Sequence, residues 1–347
     1  MLNLKRKITR LLAANPALAR QVRAYLDRRE KISAKEWRTK VLPTLKSVEN
    51  DILTRIRTYS LSDWQLSNLN NILGQVQGII NSFAPTYTDS VLASQDALID
   101  FSVASMNKEI ATIGLTAPLN PVLTEDILAI LEPLTTVFTN VFSVDLSKIV
   151  KAEITTGLVN GEGTMVVAKR IRDNFGNTSE RIKFLNKQKA TLQQDFDAGR
   201  ISKTQYEKKL TKINKQLEKG SMMSFARAQR IAMTEMNRAA SFSRQLRTKE
   251  IAAVNPQAKR IWINLHKPGA RGAHISVENT TKAKPIGLNE QFSVNGNPAD
   301  YPLDPALPVG EVVNCGCTTV IVNPKDFSDL GTLSKENITP KRILDET

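Results

Sequence analysis

The stretch from Ile261 to Thr319 decides how this chain is read. It opens inside Lys259-Arg-Ile-Trp-Ile-Asn-Leu265 and closes against Thr318-Thr-Val-Ile-Val322, two runs rich in β-branched residues that read as strands. Both histidines of the protein, His266 and His274, and both cysteines, Cys315 and Cys317, fall within it. Between the two runs lie Lys267-Pro-Gly-Ala-Arg-Gly272, Val294-Asn-Gly-Asn-Pro298 and Tyr301-Pro-Leu-Asp-Pro-Ala-Leu-Pro308. Gly, Pro and Asn at such density punctuate loops and hairpins. Residues 251–323 therefore read as a compact β-rich module, with 324–347 as a tail. Everything before the module reads as helical. The fold class expected is α+β, mostly α: a long helical N-terminal region with a helical hairpin, then a small β-rich C-terminal module.

At 347 residues the chain has room for two or three domains. Aromatic residues make up 5% of it and apolar residues 41%, which suits long helices packed side by side. The opening Met1-Leu-Asn-Leu-Lys-Arg-Lys7 leads into a charged amphipathic stretch and not a signal peptide. No uncharged run has the length of a membrane span. Two cysteines one residue apart cannot build a disulfide framework, so a reducing compartment is expected.

The net charge of +14 is unevenly spread. Residues 1–60 carry 15 Lys/Arg against 5 Asp/Glu, residues 61–150 carry 2 against 9, and residues 151–250 carry 21 against 10. Two basic segments thus flank an acidic, apolar one. That asymmetry points to a polyanion for the basic parts or to a complementary subunit.

Asn15-Pro16 reads as a helix start, with Asn as N-cap and Pro in the first turn. The helix that follows carries Arg20, Arg23, Arg28 and Arg29, and Ser33 with Glu36 forms a capping-box pattern that opens a second helix to about Tyr59. Residues 1–60 are read as a basic helical arm whose arginines suit DNA phosphates. Residues 61–150 read as three or four helices, broken at Ala84-Pro-Thr-Tyr-Thr88 and Ala117-Pro-Leu-Asn-Pro121, with Thr124 capping the next helix and Pro133 kinking or ending its first half. The very apolar Val122–Val150 is interrupted by Glu132, Asp145 and Lys148. It is read as a buried or subunit-facing helix and not a membrane span, and 61–150 as the docking region.

Gly157-Leu-Val-Asn-Gly-Glu-Gly163 lacks the Gly-Lys-Ser/Thr ending of a phosphate-cradling loop and reads as a flexible joint. Residues 178–219 read as a helical hairpin turning at Asp197-Ala-Gly-Arg-Ile-Ser202, with Ser202 and Gln205 as a capping box. Lys208, Lys209 and Lys212 on its second arm are further candidates for DNA contact. In the helix after it, Ala228, Ile231, Ala232, Ala239, Phe242 and Leu246 share a face with Glu235 at its centre. A carboxylate there needs a partner. Arg271 and His274 are the downstream candidates, giving an expected structural clamp of Glu235, Arg271 and His274.

These elements together resemble the phage head morphogenesis family, minor head proteins related to phage Mu protein F. The resemblance rests on Arg230-Ile-Ala-Met-Thr-Glu235 followed by Asn237-Arg-Ala239, Trp262, Arg271-Gly-Ala-His274, Phe292-Ser-Val-Asn-Gly296, Tyr301–Pro308 and Glu311-Val-Val-Asn-Cys-Gly-Cys-Thr318. It covers roughly residues 155–322. Met233 stands where the family has a basic residue, and Gly316 where it often has Arg. The resemblance implies a structural, non-enzymatic minor component of a tailed-phage head, found in the virion near the portal vertex and in host cytoplasm during assembly. Its implied partners are portal or major capsid protein and double-stranded DNA, bound without sequence preference, with no membrane. The other reading from the same resemblance is an enzyme or toxin-like module, of ADP-ribosyltransferase or hydrolase type, carried in the head.

Three readings stand for His266, His274, Cys315 and Cys317. Four N/S ligands satisfy a tetrahedral structural zinc. A Cys–His pair is the core of a nucleophile site. Small buried thiols, with Arg271 and His274 bonded to Glu235 and to loop carbonyls, need neither, and this reading, with no cofactor, is the one expected, structural zinc being the alternative.

Overall fold

The computed structural model describes residues 15–118, 124–174, 179–218, 220–265 and 270–324. Nine helices longer than one turn precede or flank five short strands among these residues: α1 (Pro16–Glu36), α2 (Leu42–Arg57), α3 (Leu69–Thr112), α4 (Thr124–Val159), α5 (Thr164–Asn174), α6 (Ser179–Asp197), α7 (Lys203–Glu218), α8 (Gly220–Val254), β1 (Lys259–Ile263), α9 (Gly272–Ala283), β2 (Ile286–Gly287), β3 (Phe292–Val294), β4 (Asn297–Ala299), the single turn α10 (Val309–Val312) and β5 (Thr318–Val322). The fold is α+β and mostly α, with the strands near the C-terminal end.

The chain forms two compact units, one of residues 1–35, 95–131 and 234–347, the other of 36–94 and 132–233. Their boundaries fall inside α1, α3, α4 and α8, and so cut across the consecutive segments read from charge and composition.

Local signals set several helix ends. The Asn15 side chain accepts the Leu18 N–H at 2.9 Å, capping α1. The Ser202–Gln205 box closes reciprocally: Ser202 N–H donates to Gln205 Oε1 at 3.2 Å, and Gln205 N–H to Ser202 Oγ at 3.3 Å. Glu125 and Asp126 lie in the first turn of α4, and Thr124 Oγ1 donates to Asp100 at 2.7 Å.

Elsewhere packing overrides the local signal. Ser33 is a buried residue inside α1, which runs on to Glu36 and passes through a π-helical turn, Trp37–Val41, into α2. Helix α3 continues through Pro85 and α4 through Pro133. Around Pro85, Ile80, Phe83, Tyr87 and Val91 form one buried stripe at helical spacing. Hydroxyls there supply extra bonds to carbonyls one turn back, Ser82 to Gly78 at 3.0 Å and Thr88 to Ala84 at 3.1 Å. A stripe of that size outweighs the roughly 3 kcal/mol that proline costs a helix interior.

In the unit of 36–94 and 132–233, Tyr87 packs on Phe83 and Phe142, and its hydroxyl donates to the Ala228 carbonyl at 3.0 Å. The expected flexible joint is a defined turn. A Cβ on Gly157 would sit 2.2 Å from Val167 Cγ2, so glycine lets α4 and α5 approach; Gly161 turns the chain at φ +68°, and Arg170 bridges Glu153 and Glu162. Helices α6 and α7 form the expected hairpin, with Phe196 stacked on Tyr206 at 4.5 Å. Lys208, Lys209 and Lys212 are exposed on it.

Helix α4 is long and apolar enough to cross a membrane by length and composition. Thr135, Thr139, Phe142, Leu146 and Val150 bury one side of it, and Val137, Val141 and Val144 on the other are 59%, 48% and 52% exposed.

In the other unit, β1 lies between β2 and β5, antiparallel to both, with Trp262 opposite Thr319 and Ile263 opposite Thr318. Side chains alternate along a strand. Ile261 and Ile263 face a core built with Leu18, Val22, Tyr25 and Leu26 of α1 and Met106 and Ile110 of α3. Trp262 faces a second core with Val277, Phe292, Val294, Leu303, Leu307, Val312, Cys315 and Cys317. Strands β3 and β4 make a hairpin whose two loop residues, Asn295 (φ 53°) and Gly296 (φ 82°), both take positive φ, as a type I′ turn requires. The module also contains α9, which the density of turn residues on either side conceals in the sequence.

Candidate metal centre

Glu235 is fully buried on α8, as its place in the apolar stripe requires, but its partner is not Arg271. Arg238, one turn further along the same helix, bonds both carboxylate oxygens through Nη1. An i,i+3 pair needs no tertiary search to form. Arg238 Nε donates at 3.2 Å to the carbonyl of Leu303, a buried residue held at φ 71°. Such a backbone costs a non-glycine residue about 1–3 kcal/mol, and the guanidinium is what fastens it. The neighbouring Thr234 Oγ1 accepts the N–H of Asn314 at 3.1 Å, fixing the residue before Cys315. The Thr-Glu pair on α8 therefore holds two loops of the module.

Arg271 is the N-cap residue of α9. Its Nη2 donates to the Val313 carbonyl at 2.6 Å, its Nη1 to the Glu311 carbonyl at 3.4 Å, and its Nε lies 3.8 Å from Glu311 Oε2. The expected clamp of Glu235, Arg271 and His274 is thus replaced by two separate constructions. Glu235 and Arg238 form one; Arg271, His274 and Glu311 form the other.

His274 occupies the first turn of α9, and the buried Val277 and Thr281 lie on the same side of that helix. Trp262 meets the His274 ring edge-on at 5.7 Å. His274 Nδ1 lies 3.4 Å from Cys317 Sγ and 3.5 Å from Cys315 Sγ. The ligand atoms of His274, Cys315 and Cys317 all fall within 4.8 Å of one another, and all three residues are buried. This is a candidate metal-binding site. His266, the fourth ligand expected from the sequence, lies outside the described residues.

The cluster is electrostatically uneven. The Cys315 thiol is held well below its ordinary value, first by a hydrogen bond from Cys317 and then by His274, against the opposing effect of burial. Cys317 is pushed well up, first by its hydrogen bond to Cys315, then by burial and by the charge on Cys315. Burial works against a charged His274 ring, but its bond to Cys315 and the charges of Cys315 and Glu311 raise it overall. Of the two thiols, Cys315 is the more readily ionised. A metal would take both sulfurs as thiolates and the ring as neutral imidazole.

The geometry fits a metal. With Zn–N near 2.0–2.1 Å and Zn–S near 2.3 Å, the N···S edge of a zinc tetrahedron is about 3.5 Å. A nucleophile pair would need one sulfur on the histidine, whereas both sulfurs converge on the same nitrogen. Cys315 and Cys317 are each 3% exposed, and neither lines the adjacent cleft of Arg271, Gly272, Ala273, Ser276, Ser293, Asn295, Gly310 and Glu311.

Of the residues expected to meet DNA, Arg20 and Arg28 are exposed, Arg28 lying over the Phe101 ring at 5.9 Å, and Arg23 is half-buried with Nε on the Ala19 carbonyl. Arg29 is not a surface cation. It is buried, with Nη2 on the Gly316 carbonyl at 2.6 Å and Nη1 on the Cys317 carbonyl at 3.3 Å. Its partners lie almost a whole chain length away, so charge pattern alone cannot separate it from Arg28. The buried pair of Arg244 and Glu109 escaped the sequence reading for the same reason.

No family model, curated protein or solved structure matches this chain.

Proposed function

We propose that the chain is a structural minor head protein of a tailed phage, placed in the head near the portal vertex and in contact there with packaged DNA. The observation that carries this is where the motif residues lie. Thr234 and Glu235, Trp262, Arg271 and His274, Phe292, Leu303, Glu311 and the two cysteines are spread over more than 80 positions, yet all belong to the walls or fastenings of one core. Residues engaged in this way support a packing role, consistent with a structural module. The exposed valines of α4 suit docking on portal or capsid protein, and the lysines of the α6–α7 hairpin suit phosphates.

In this reading His274, Cys315 and Cys317 hold a structural zinc, which ties α9 to the loop before β5. The ion supplies cohesion that a small core lacks. The enzyme reading would take Cys315 as nucleophile, His274 as base and Glu311 as its orienting group. Its weakness is the enclosure of Cys315.

The test is composition of particles. Filled heads and empty proheads of the phage carrying this chain, purified and analysed by quantitative mass spectrometry, should contain it at a copy number comparable to the portal's. Its absence from both, with the protein recovered free in the lysate, would overturn the proposal.

A further inference from the structure

His274 faces a carboxylate with one ring nitrogen and two sulfurs with the other, and of its two neutral tautomers only one suits both sides. Nε2 is buried without an aligned hydrogen-bond partner, and it lies 3.0 Å from Glu311 Oε2, which also lacks one. On the opposite side, Nδ1 faces two sulfurs at 3.4 and 3.5 Å. One ring nitrogen has a single lone pair or a single proton to offer. Two thiols at equal distance are thus redundant as hydrogen-bond partners, but not as fellow ligands. With the proton on Nε2, the ring donates to the carboxylate and turns its Nδ1 lone pair toward the sulfurs. With the proton on Nδ1, a lone pair would face the carboxylate.

The carboxylate is itself held in place. Glu311 sits on the single turn α10, and Arg271, at the N-cap of the helix that carries His274, bonds the carbonyls of Glu311 and Val313 while its Nε approaches Oε2. On the sulfur side, Trp262 Nε1 is buried without an aligned hydrogen-bond partner, and the Trp262 ring meets that of His274 edge-on at 5.7 Å. With Nδ1 committed to an ion, the proton on His274 Nε2 would have Glu311 Oε2, 3.0 Å away, as its acceptor.

We infer that Glu311 is the carboxylate that fixes His274 as an Nδ1 metal ligand, so that Glu311, His274 and the two cysteines form one carboxylate–histidine–metal relay. This rests on the zinc reading above and adds a residue that is not itself a ligand. Outer partners of this kind set the ring's orientation and basicity.

Full-length protein, stripped of metal under reducing conditions, is titrated with Co²⁺ and then with Zn²⁺ in competition. The wild type should bind one Co²⁺ with thiolate-to-cobalt charge-transfer absorption, which Cys315→Ser and Cys317→Ser should each diminish. Glu311→Ala should keep that absorption but bind about 10–100-fold more weakly, the usual cost of losing such a partner. Glu311→Gln, which retains a carbonyl acceptor, should fall between. In zinc-loaded protein with ¹⁵N-labelled histidine, His274 should show a protonated Nε2 and a metallated Nδ1, and Glu311→Ala should lose the slowly exchanging Nε2 proton. Absence of cobalt binding by the wild type would sink the zinc reading itself. Wild-type binding with unchanged affinity in Glu311→Ala would sink the role of Glu311 and leave the zinc reading standing.

Discussion

Arg244 and Glu109, 135 positions apart, form a two-pronged ion pair with almost no solvent contact. Nη1 reaches Oε1 at 3.0 Å and Nη2 reaches Oε2 at 2.7 Å, with side chains 1% and 2% exposed. The guanidinium also donates to the Thr319 carbonyl at 3.0 Å and lies 4.5 Å over the Tyr25 ring. One side chain of α8 thereby touches α1, α3 and β5. Removing either member strands the other charge, so Glu109→Ala and Arg244→Ala should each cost about 3–5 kcal/mol. In urea unfolding, the double variant should lose much less than the sum. Single losses under about 1 kcal/mol, the scale of an exposed pair, would contradict this.

Glu235 and Arg238 should behave in the same way, and Arg271 should not. Glu235→Ala leaves a buried guanidinium without its counter-charge, at about 3–5 kcal/mol. Arg271 is 31% exposed at the side chain and its approach to Glu311 is long. Its loss should cost about 1–2 kcal/mol, from the two carbonyl bonds. Equal destabilisation by Glu235→Ala and Arg271→Ala in the same melts would restore the tertiary clamp expected from the sequence.

Nonspecific DNA affinity, if the hairpin provides it, should respond to Lys208, Lys209 and Lys212. Each lysine that meets a phosphate contributes about −0.9 to the slope of log affinity against log salt. Replacing all three with Ala should flatten the slope in fluorescence anisotropy at several salt concentrations. Arg29→Ala should leave the slope unchanged and lower the melting temperature instead. An unchanged slope in the triple lysine variant would remove the hairpin from the DNA surface.

Gly316 separates the two cysteines, and a Cβ there would fall 2.6 Å from Leu265 Cδ1. Gly316→Ala should force that leucine out of its place and cost about 1–3 kcal/mol by overpacking. Trimming the obstacle should recover part of the loss, so Gly316→Ala in a Leu265→Ala background should cost less than in the wild type. An equal cost in both backgrounds would place the strain elsewhere.

The features legible in the sequence are the ones whose partners are close in the chain. The Asn15 cap, the Ser202–Gln205 box and the Asn295-Gly296 turn each act over two or three positions. The gathering of His274, Cys315 and Cys317 is legible too, because they share one turn-rich stretch bounded by two paired strands. Ser33 and Pro85 misled because a buried stripe of several apolar residues outweighs one cap or one missing N–H. Arg29 and Glu235 misled in opposite directions. Arg29 looks like a surface cation but bonds carbonyls 287 and 288 positions away, while Glu235 looks like a tertiary partner but is satisfied three residues on.

The bond between Arg29 and the Gly316 carbonyl also orders events in time. The ribosome releases α1 long before β5, and the core of that unit needs both. At roughly 5–20 residues per second, the apolar face of Leu18, Val22, Tyr25 and Leu26 waits on the order of tens of seconds for its native cover. The other unit is complete in sequence by Met233 and can close earlier. Nascent chains stalled before Thr318 should therefore offer α1 to a protease or a holding chaperone, and chains released past Val322 should hide it.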